Sequence, residues 1–109
     1  MHNYGELVQM DIAHMFEDKE TNFKYFLLLV DVFSSKVFAE PLKTRETPEI
    51  IKALRKIFAD FGANIYEIQA DRESAFLSKQ CQDFFHQKKI IFRSKFGKNK
   101  ASVGMFTQK

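Results

Sequence analysis

The feature that most constrains the fold is an almost unbroken apolar run at residues 23–33, FKYFLLLVDVF. A run with so few charges is typical of a strand that is buried on both faces, and it predicts a strand in the middle of a sheet. Residues 34–36 are short enough for a hairpin turn, so residues 37–42 should form an antiparallel partner. Residues 6–15 have the spacing of a further strand, and the three segments together predict a meander.

Residues 47–61 carry the clearest helix pattern. Thr47 is suited to the N-cap, Pro48 to the first helical position, and Gly62 to the position after the last turn. The apolar residues recur at three- and four-residue spacing, which forms one stripe on the helix. They are Ile50, Ile51, Leu54, Ile57, Phe58 and Phe61.

The rest of the chain predicts a strand at residues 65–70, a second helix, and a last strand at residues 89–95. Four residues should share the apolar face of the second helix: Leu77, Cys81, Phe84 and Phe85. The order βββαβαβ predicts an α/β fold, a five-stranded mixed sheet with helices packed on it, in a single domain over residues 1–109. The last two strands follow crossovers, so they should be parallel.

Composition excludes several classes of protein. Hydrophobic residues make up 45% of the chain and charged residues 28%, values that are ordinary for a globular domain and exclude a disordered or collagen-like chain. The single Cys81 excludes a disulfide framework and favours a reducing compartment. The longest apolar run, at residues 25–30, is too short to span a bilayer, so no membrane association is expected.

Charge is distributed unevenly along the chain. Residues 1–83 have a formal charge of −4, and residues 84–109 have a charge of +7 with no acid. The basic segment predicts nucleic-acid binding through Lys88, Lys89, Arg93, Lys95, Lys98 and Lys100. The alternative is a solvated basic surface beside a buried strand.

Two acids interrupt apolar strands, Asp11 in VQMDIAHM and Asp71 after IYEIQA. If the first and fourth strands are neighbours, both carboxylates can meet at one edge of the sheet and hold a divalent cation. Such a pair suits Mg²⁺-dependent phosphoryl transfer. The alternative is that Asp11 is an edge-strand acid that faces water and Asp71 is a turn residue. A third acid, Asp31, is expected to hydrogen-bond into the turn after its strand.

The element order, the acids and the segments around them resemble the catalytic core of the retroviral and retrotransposon integrases, members of the RNase H-like superfamily. The family's first strand, with its metal-binding Asp, is similar to VQMDIAHMFED, and its second and third strands are similar to NFKYFLLLVDVFSSKVFAEPLKT. The "QTDxGxEF" segment resembles IQADRESAFLSKQCQDFF, and a "KASVVERF" form of the third-acid segment resembles KASVGMF. The resemblance implies that Asp11 and Asp71 are the first two acids of the family's Asp-Asp-Glu triad, which binds Mg²⁺ or Mn²⁺.

This chain departs from the family pattern at the third acid. Met105 stands at that position, 34 residues after Asp71, and a thioether does not ligate Mg²⁺. Glu73 and Ala75 replace the Gly and Glu of the "DxGxEF" segment. The family's C-terminal helices, which supply DNA contacts and part of the dimer surface, are expected to be absent.

These observations predict a transposon-derived, degenerate integrase core that acts as a non-catalytic binding module. Its expected partners are a second copy of the chain, another protein, or nucleic acid, and the expected location is nuclear, otherwise cytoplasmic. Mg²⁺ or Mn²⁺ is a possible cofactor, although none is the favoured expectation. The alternative hypothesis is an active Mg²⁺-dependent polynucleotidyl transferase that uses Asp11 and Asp71.

Overall fold

The computed structural model describes residues 3–14, 20–71 and 73–95, with Lys95 described by its backbone. The elements are β1 (Val8–His14), β2 (Tyr25–Asp31), β3 (Val37–Leu42), α1 (Thr47–Phe61), β4 (Glu67–Asp71), α2 (Ser74–Leu77), α3 (Lys79–Gln87) and β5 (Ile91–Lys95). No helix in this part of the chain is long and apolar enough to cross a membrane.

The five strands form one mixed sheet in the order β3-β2-β1-β4-β5. The pairs β1–β2 and β2–β3 are antiparallel, whereas β1–β4 and β4–β5 are parallel. The predicted meander, the mixed sheet and the parallel final strands are therefore confirmed. β2 is an interior strand as predicted, because it pairs with both β1 and β3, although the central position belongs to β1.

Burial along β2 also differs from the prediction. Leu27, Leu29 and Asp31 are fully buried, whereas the residues between them are only half-buried. The strand is thus covered on one face and not on both. The reason is that α1 and α3, which supply most of the helical part of the core, pack on the same face of the sheet.

The first helix matches its predicted range but begins differently. Glu46 occupies the N-cap without a side-chain hydrogen bond, and Thr47 is already helical. The Thr47 hydroxyl instead donates to Ser78 Oγ at 2.9 Å, which ties the start of α1 to the junction of α2 and α3. Gly62 ends the helix in the left-handed conformation (φ 75°), as predicted.

The predicted second helix is two helices that break at Ser78, where ψ is 154°. Its hydroxyl accepts a hydrogen bond from the Cys81 N–H at 3.3 Å and so caps α3. Cys81, Phe84 and Phe85 are buried as predicted. Leu77, however, is 39% exposed, so its assignment to the buried face is wrong. The break rotates Leu77 away from the face that α3 buries.

The predicted range of β3 is confirmed, β4 is shifted to Glu67–Asp71, and the other three strands are shorter than predicted. The turn after β2 takes in Val32 and Phe33, and both side chains are exposed. Ile65 is buried but precedes β4. Lys89 lies in a turn with φ 60°, so β5 starts two residues later than predicted.

The buried carboxylate of Asp31 joins the N-terminal segment to the β2–β3 turn. Its Oδ1 accepts a hydrogen bond from the Gly5 N–H at 2.8 Å, and its Oδ2 accepts one from the Ser34 N–H at 2.8 Å. Burial raises the pKa of the Asp31 carboxyl, but hydrogen bonds from Gly5, Ser34 and Phe33 outweigh burial and hold that pKa below its usual value. The predicted hydrogen bond from Asp31 into the turn is therefore present. A second hydrogen bond, to Gly5, links the same carboxylate to the segment that precedes β1.

The substitution Asp31→Asn should lower the free energy of unfolding by about 1.5–3 kcal/mol, because an amide cannot accept from both backbone N–H groups. The folded pKa of Asp31 lies below the unfolded value of about 3.9, so this stabilisation is present above that value and is lost as the pH falls through the folded pKa. Urea unfolding at neutral and acidic pH should show that the variant lacks this acid-dependent loss.

The matched control for this prediction is Asp60→Asn, which changes an exposed acid on α1. It should change the free energy of unfolding by about 0.5 kcal/mol at most. If Asp31→Asn were as stable as the wild type at neutral pH, the carboxylate would not hold the turn.

Candidate functional site

The sheet face that points away from α1 and α3 is called the open face here. Its described side chains are Gln9, Asp11, Ala13, Phe26, Leu28, Val30, Val37, Ala39, Pro41, Glu67, Gln69, Asp71, Ile91 and Arg93. The β2 and β3 part is apolar, and the β4 part is polar. The two parts meet at β1, where Asp11 pairs with Leu28.

The open face brings together the two acids that the sequence singled out. In the parallel register of β1 and β4, Val8 pairs with Ile68 and Met10 with Ala70. Asp11 and Asp71 each follow the last of these pairs, so they share the open face at the point where the two strands separate. Both residues are exposed. The condition on which the sequence prediction depended, adjacency of the first and fourth strands, is met.

The Asp11 side chain also completes the backbone hydrogen bonding at the point where the strands separate. The paired residues of β1 and β4 end at Met10 and Ala70. Just beyond, the Ile12 N–H donates to Asp11 Oδ1 at 2.9 Å. On β4, the Asp71 carbonyl accepts from the Glu73 N–H at 2.8 Å, and the Asp71 backbone pairs with that of Lys95.

Glu73 is the nearest further acid along the chain, and it is bound elsewhere. Arg45 Nη2 donates to Glu73 Oε1, and the Glu73 side chain is 20% exposed. The hydrogen bond to Glu73 raises the pKa of Arg45 above its ordinary value. The Arg45 guanidinium also lies 5.6 Å from the centre of the Tyr25 ring. Glu73 is therefore one partner of an ion pair that joins the β3–α1 loop to α2.

The basic residues predicted to bind nucleic acid do not form one surface. Lys88 and Lys89 lie in the turn before β5, whereas the Lys95 backbone is at the other end of that strand. Arg93 is on the open face, where its Nε is 2.7 Å from Glu67 Oε2. Gln69 Nε2 donates to the same oxygen at 3.0 Å, so Glu67 balances the charge of Arg93. Lys98 and Lys100 lie outside the described residues.

Sequence reasoning missed the cluster at the carboxyl end of β1. His14 pairs with Tyr25, and their rings are 5.1 Å apart. Arg45 lies against the same tyrosine. The strand register was the signal needed to find this cluster, because nothing in the local sequence links these three residues.

A family model described as "Integrase core domain" matches residues 2–94. The chain belongs to the integrase core domain family. No protein with a curated description matches it closely enough to count as a relative.

Solved structures support the same assignment of fold. A chain of the simian T-cell lymphotropic virus intasome in complex with the PP2A regulatory subunit B56 gamma is 27% identical, with a TM-score of 0.79 over 96% of this chain. Two structures of the HTLV-2 integrase catalytic core domain in complex with magnesium also match. The dimeric form is 22% identical with a TM-score of 0.76 over 94% of this chain, and the trimeric form is 25% identical with 0.75 over 95%.

The integrase core described here spans 37% of the simian virus chain and 68% of each HTLV-2 chain. The predicted α/β, RNase H-like fold and the family resemblance are both confirmed.

The family implies a divalent metal, and the donors present fit one such ion. Asp11 and Asp71 offer hard carboxylate oxygens, and Mg²⁺ is often held by one or two carboxylates with water and substrate oxygens completing its shell. Within residues 3–14, 20–71 and 73–95, no group of three His, Cys, Asp or Glu residues could hold a metal. Met105 lies outside the described residues, and its side chain lacks an oxygen donor.

The adjacency of Asp11 and Asp71 can be tested with a double-mutant cycle. In metal-free buffer at low salt, Asp11→Asn should stabilise the integrase core by about 0.5 kcal/mol, because like charges on facing positions of neighbouring strands repel. The gain should disappear in the Asp71→Asn background. Denaturant unfolding measures all four proteins, and a coupling energy of zero would mean that the carboxylates are not neighbours.

Proposed function

We propose that this chain is an integrase core that no longer catalyses strand transfer and serves as a binding module. The observation that carries the proposal is the Arg45–Glu73 ion pair, which commits the acid nearest to Asp71 to a structural contact. Met105 stands where the family resemblance expects the third acid. Asp11 and Asp71 are then a carboxylate pair without a third member.

The chemistry of phosphoryl transfer makes the missing acid decisive. A two-metal site stabilises both the attacking and the leaving oxygen of the phosphate. Two carboxylates can hold one ion between them, but a second ion would lack a protein ligand that fixes its position. Charge stabilisation of the transition state depends on such fixed positions, so a core with two acids should bind metal without cutting efficiently.

The Asp11–Asp71 pair would bind Mg²⁺ or Mn²⁺ weakly. The HTLV-2 core structures are described as complexes with magnesium, which supports the assignment of metal binding to this pair. A bound divalent cation would offset the repulsion between the two carboxylates and leave the site with no net charge.

The apolar part of the open face is the proposed binding surface. Val37 is 62% exposed and Ala39 is exposed on the edge strand β3, and half-buried Phe26, Leu28 and Val30 continue the patch on β2. Contiguous exposed apolar area of this kind marks interaction sites. The proposed partner is a second copy of the chain, and the dimeric and trimeric forms described for the HTLV-2 core support that choice.

The second candidate function is Mg²⁺-dependent DNA integration by Asp11 and Asp71. The observation that favours it is the pairing of β1 with β4, whose last paired residues directly precede the exposed Asp11 and Asp71. In this alternative, a group outside the described residues would supply the missing ligand.

A nicking assay separates the two candidates. Wild type and Asp71→Asn are incubated with supercoiled plasmid and millimolar Mn²⁺ or Mg²⁺. The proposed function predicts equal background nicking for both proteins, because the wild type has no complete metal site. Wild-type nicking that requires metal and disappears in Asp71→Asn would contradict the proposal and establish the enzyme.

The control variant for this assay is Met105→Glu, which supplies a carboxylate at the position the resemblance assigns to the third acid. We expect nicking to rise by about a hundredfold, on the scale that one fixed electrostatic group contributes to catalysis. The gain should require Asp71, so the double variant Met105→Glu/Asp71→Asn should return to background.

A further inference from the structure

A groove lies at the opposite end of the sheet from Asp11 and Asp71. It is a groove of about 690 Å³ between three chain segments: residues 3–6, residues 64–66, and the turn before β5. Its lining residues are Asn3, Tyr4, Gly5, Glu6, Asn64, Ile65, Tyr66, Lys88 and Lys89. The length of β5 separates the groove from the Asp71 end of the sheet by about 13 Å. The groove is therefore distinct from the carboxylate site.

The backbone of the groove is held by long-range hydrogen bonds. The Tyr66 N–H donates to the Gly5 carbonyl at 2.7 Å, and the Ile91 N–H donates to the Tyr66 carbonyl at 2.9 Å. Tyr4 stacks on Phe61 with 4.3 Å between ring centres and donates its hydroxyl to the Phe61 carbonyl at 2.8 Å. The groove is thus formed by a fixed part of the fold.

Two lysines give the groove its charge. Lys88 and Lys89 are exposed, and neither forms an ion pair with a residue that the structure describes. Lys88 Nζ lies 5.8 Å from the centre of the Phe84 ring, a contact that brings no opposite charge. Lys89 adopts φ 60°, a left-handed conformation that favours glycine. A cationic side chain is thus placed at a position where the backbone alone would favour glycine.

The rim supplies an aromatic ring beside these charges. Tyr66 is 60% exposed, although its backbone is anchored at both its N–H and its carbonyl. The Glu6 carboxylate is also in the lining, and its Oε1 accepts from the Asn3 N–H at 3.0 Å. The charged lining groups therefore sum to one net positive charge, which favours an anionic ligand.

We infer that this groove binds a nucleoside phosphate, with the base against Tyr66 and the phosphate between Lys88 and Lys89. A ring face and two ammonium groups match the two parts of a nucleotide, because bases stack on aromatic side chains and phosphates pair with lysine. A groove of this volume is in the range of small-ligand sites. The inference goes beyond the proposed function, since it does not depend on whether Asp11 and Asp71 hold metal.

The same chemistry is offered by a free nucleotide or by an unpaired nucleotide within a strand. Fluorescence anisotropy with a labelled oligothymidylate measures strand binding, and competition with thymidine monophosphate measures the free nucleotide. Competition by millimolar thymidine monophosphate would support the proposal and identify the free nucleotide as sufficient. Binding by the strand alone would support it and identify an unpaired strand as the source.

Variants test whether the bound probe occupies this groove. Tyr66→Ala should weaken binding about 5- to 150-fold, the range that corresponds to the loss of one stacked base, whereas Tyr66→Phe should bind as the wild type does. Lys88→Gln/Lys89→Gln should reduce the slope of log affinity against log salt by about 1.4, because two phosphate contacts are lost. Lys52→Gln, an exposed lysine on α1, is the matched control and should change neither quantity.

Several outcomes would overturn the inference. The first is that neither probe binds. The second is that Lys52→Gln weakens binding as much as the groove variants do. The third is that Tyr66→Ala, shown by circular dichroism to be folded, binds the probe with wild-type affinity. Equal competition by polyglutamate would also overturn it, because the groove would then accept any anion. Asp71→Asn should bind the probe as the wild type does. This result would therefore stand even if the nicking assay contradicted the proposed loss of catalysis.

Discussion

The buried carboxylate of Asp31 is the interaction on which the rest of this structure depends. It binds the Gly5 N–H, and the Gly5 carbonyl in turn accepts from Tyr66, immediately before β4. A side chain at Gly5 would place its Cβ 2.3 Å from the Asn64 carbonyl oxygen, and the residue has φ 87°, so only glycine fits. These bonds hold β1 between β2 and β4, and the register that follows puts Asp11 and Asp71 one position beyond the last paired residues of the two strands. The groove that we propose for a nucleoside phosphate is lined by the same two residues, Gly5 and Tyr66.

Much of the fold could be predicted because local patterns and tertiary contacts agree. The apolar stripe of α1 and its terminal Gly62 gave the range of that helix, and the β-strand segments gave the order of the sheet. The two acids were found because each interrupts an apolar strand. Asp31 was assigned to its turn, but its bond to Gly5 is a contact between distant residues that no local pattern contains.

The errors have particular physical causes. Ser78 ends α2 and caps α3. The sequence does not reveal this break, because a serine on the polar side of an apolar stripe is also compatible with a continuous helix. The β2 segment has apolar side chains on both faces, but the side chains on one face are only half-buried. A prediction from hydrophobicity alone therefore overestimated the burial of β2. The basic segment is contiguous in sequence, but the length of β5 separates Lys88 and Lys89 from Lys95.

The candidate site combines two charge patterns with different consequences. Asp11 and Asp71, the proposed metal ligands, carry two like charges that a cation would offset, whereas Arg45 already neutralises Glu73, which stands where the family resemblance expects glycine. A glutamate near two carboxylates would add repulsion, and the ion pair with Arg45 removes that cost. The result is a core whose acids can attract a divalent ion but offer it only two protein ligands within the described residues.

The measurement that tests the central claim most directly is a calorimetric titration of the protein with Mn²⁺. A core with two carboxylates and no third acid should bind one Mn²⁺ ion per chain, with a dissociation constant in the millimolar range. This binding should disappear in Asp71→Asn. Two sites per chain, or micromolar affinity, would require a further ligand and would contradict the view that this integrase core has lost its catalytic metal centre.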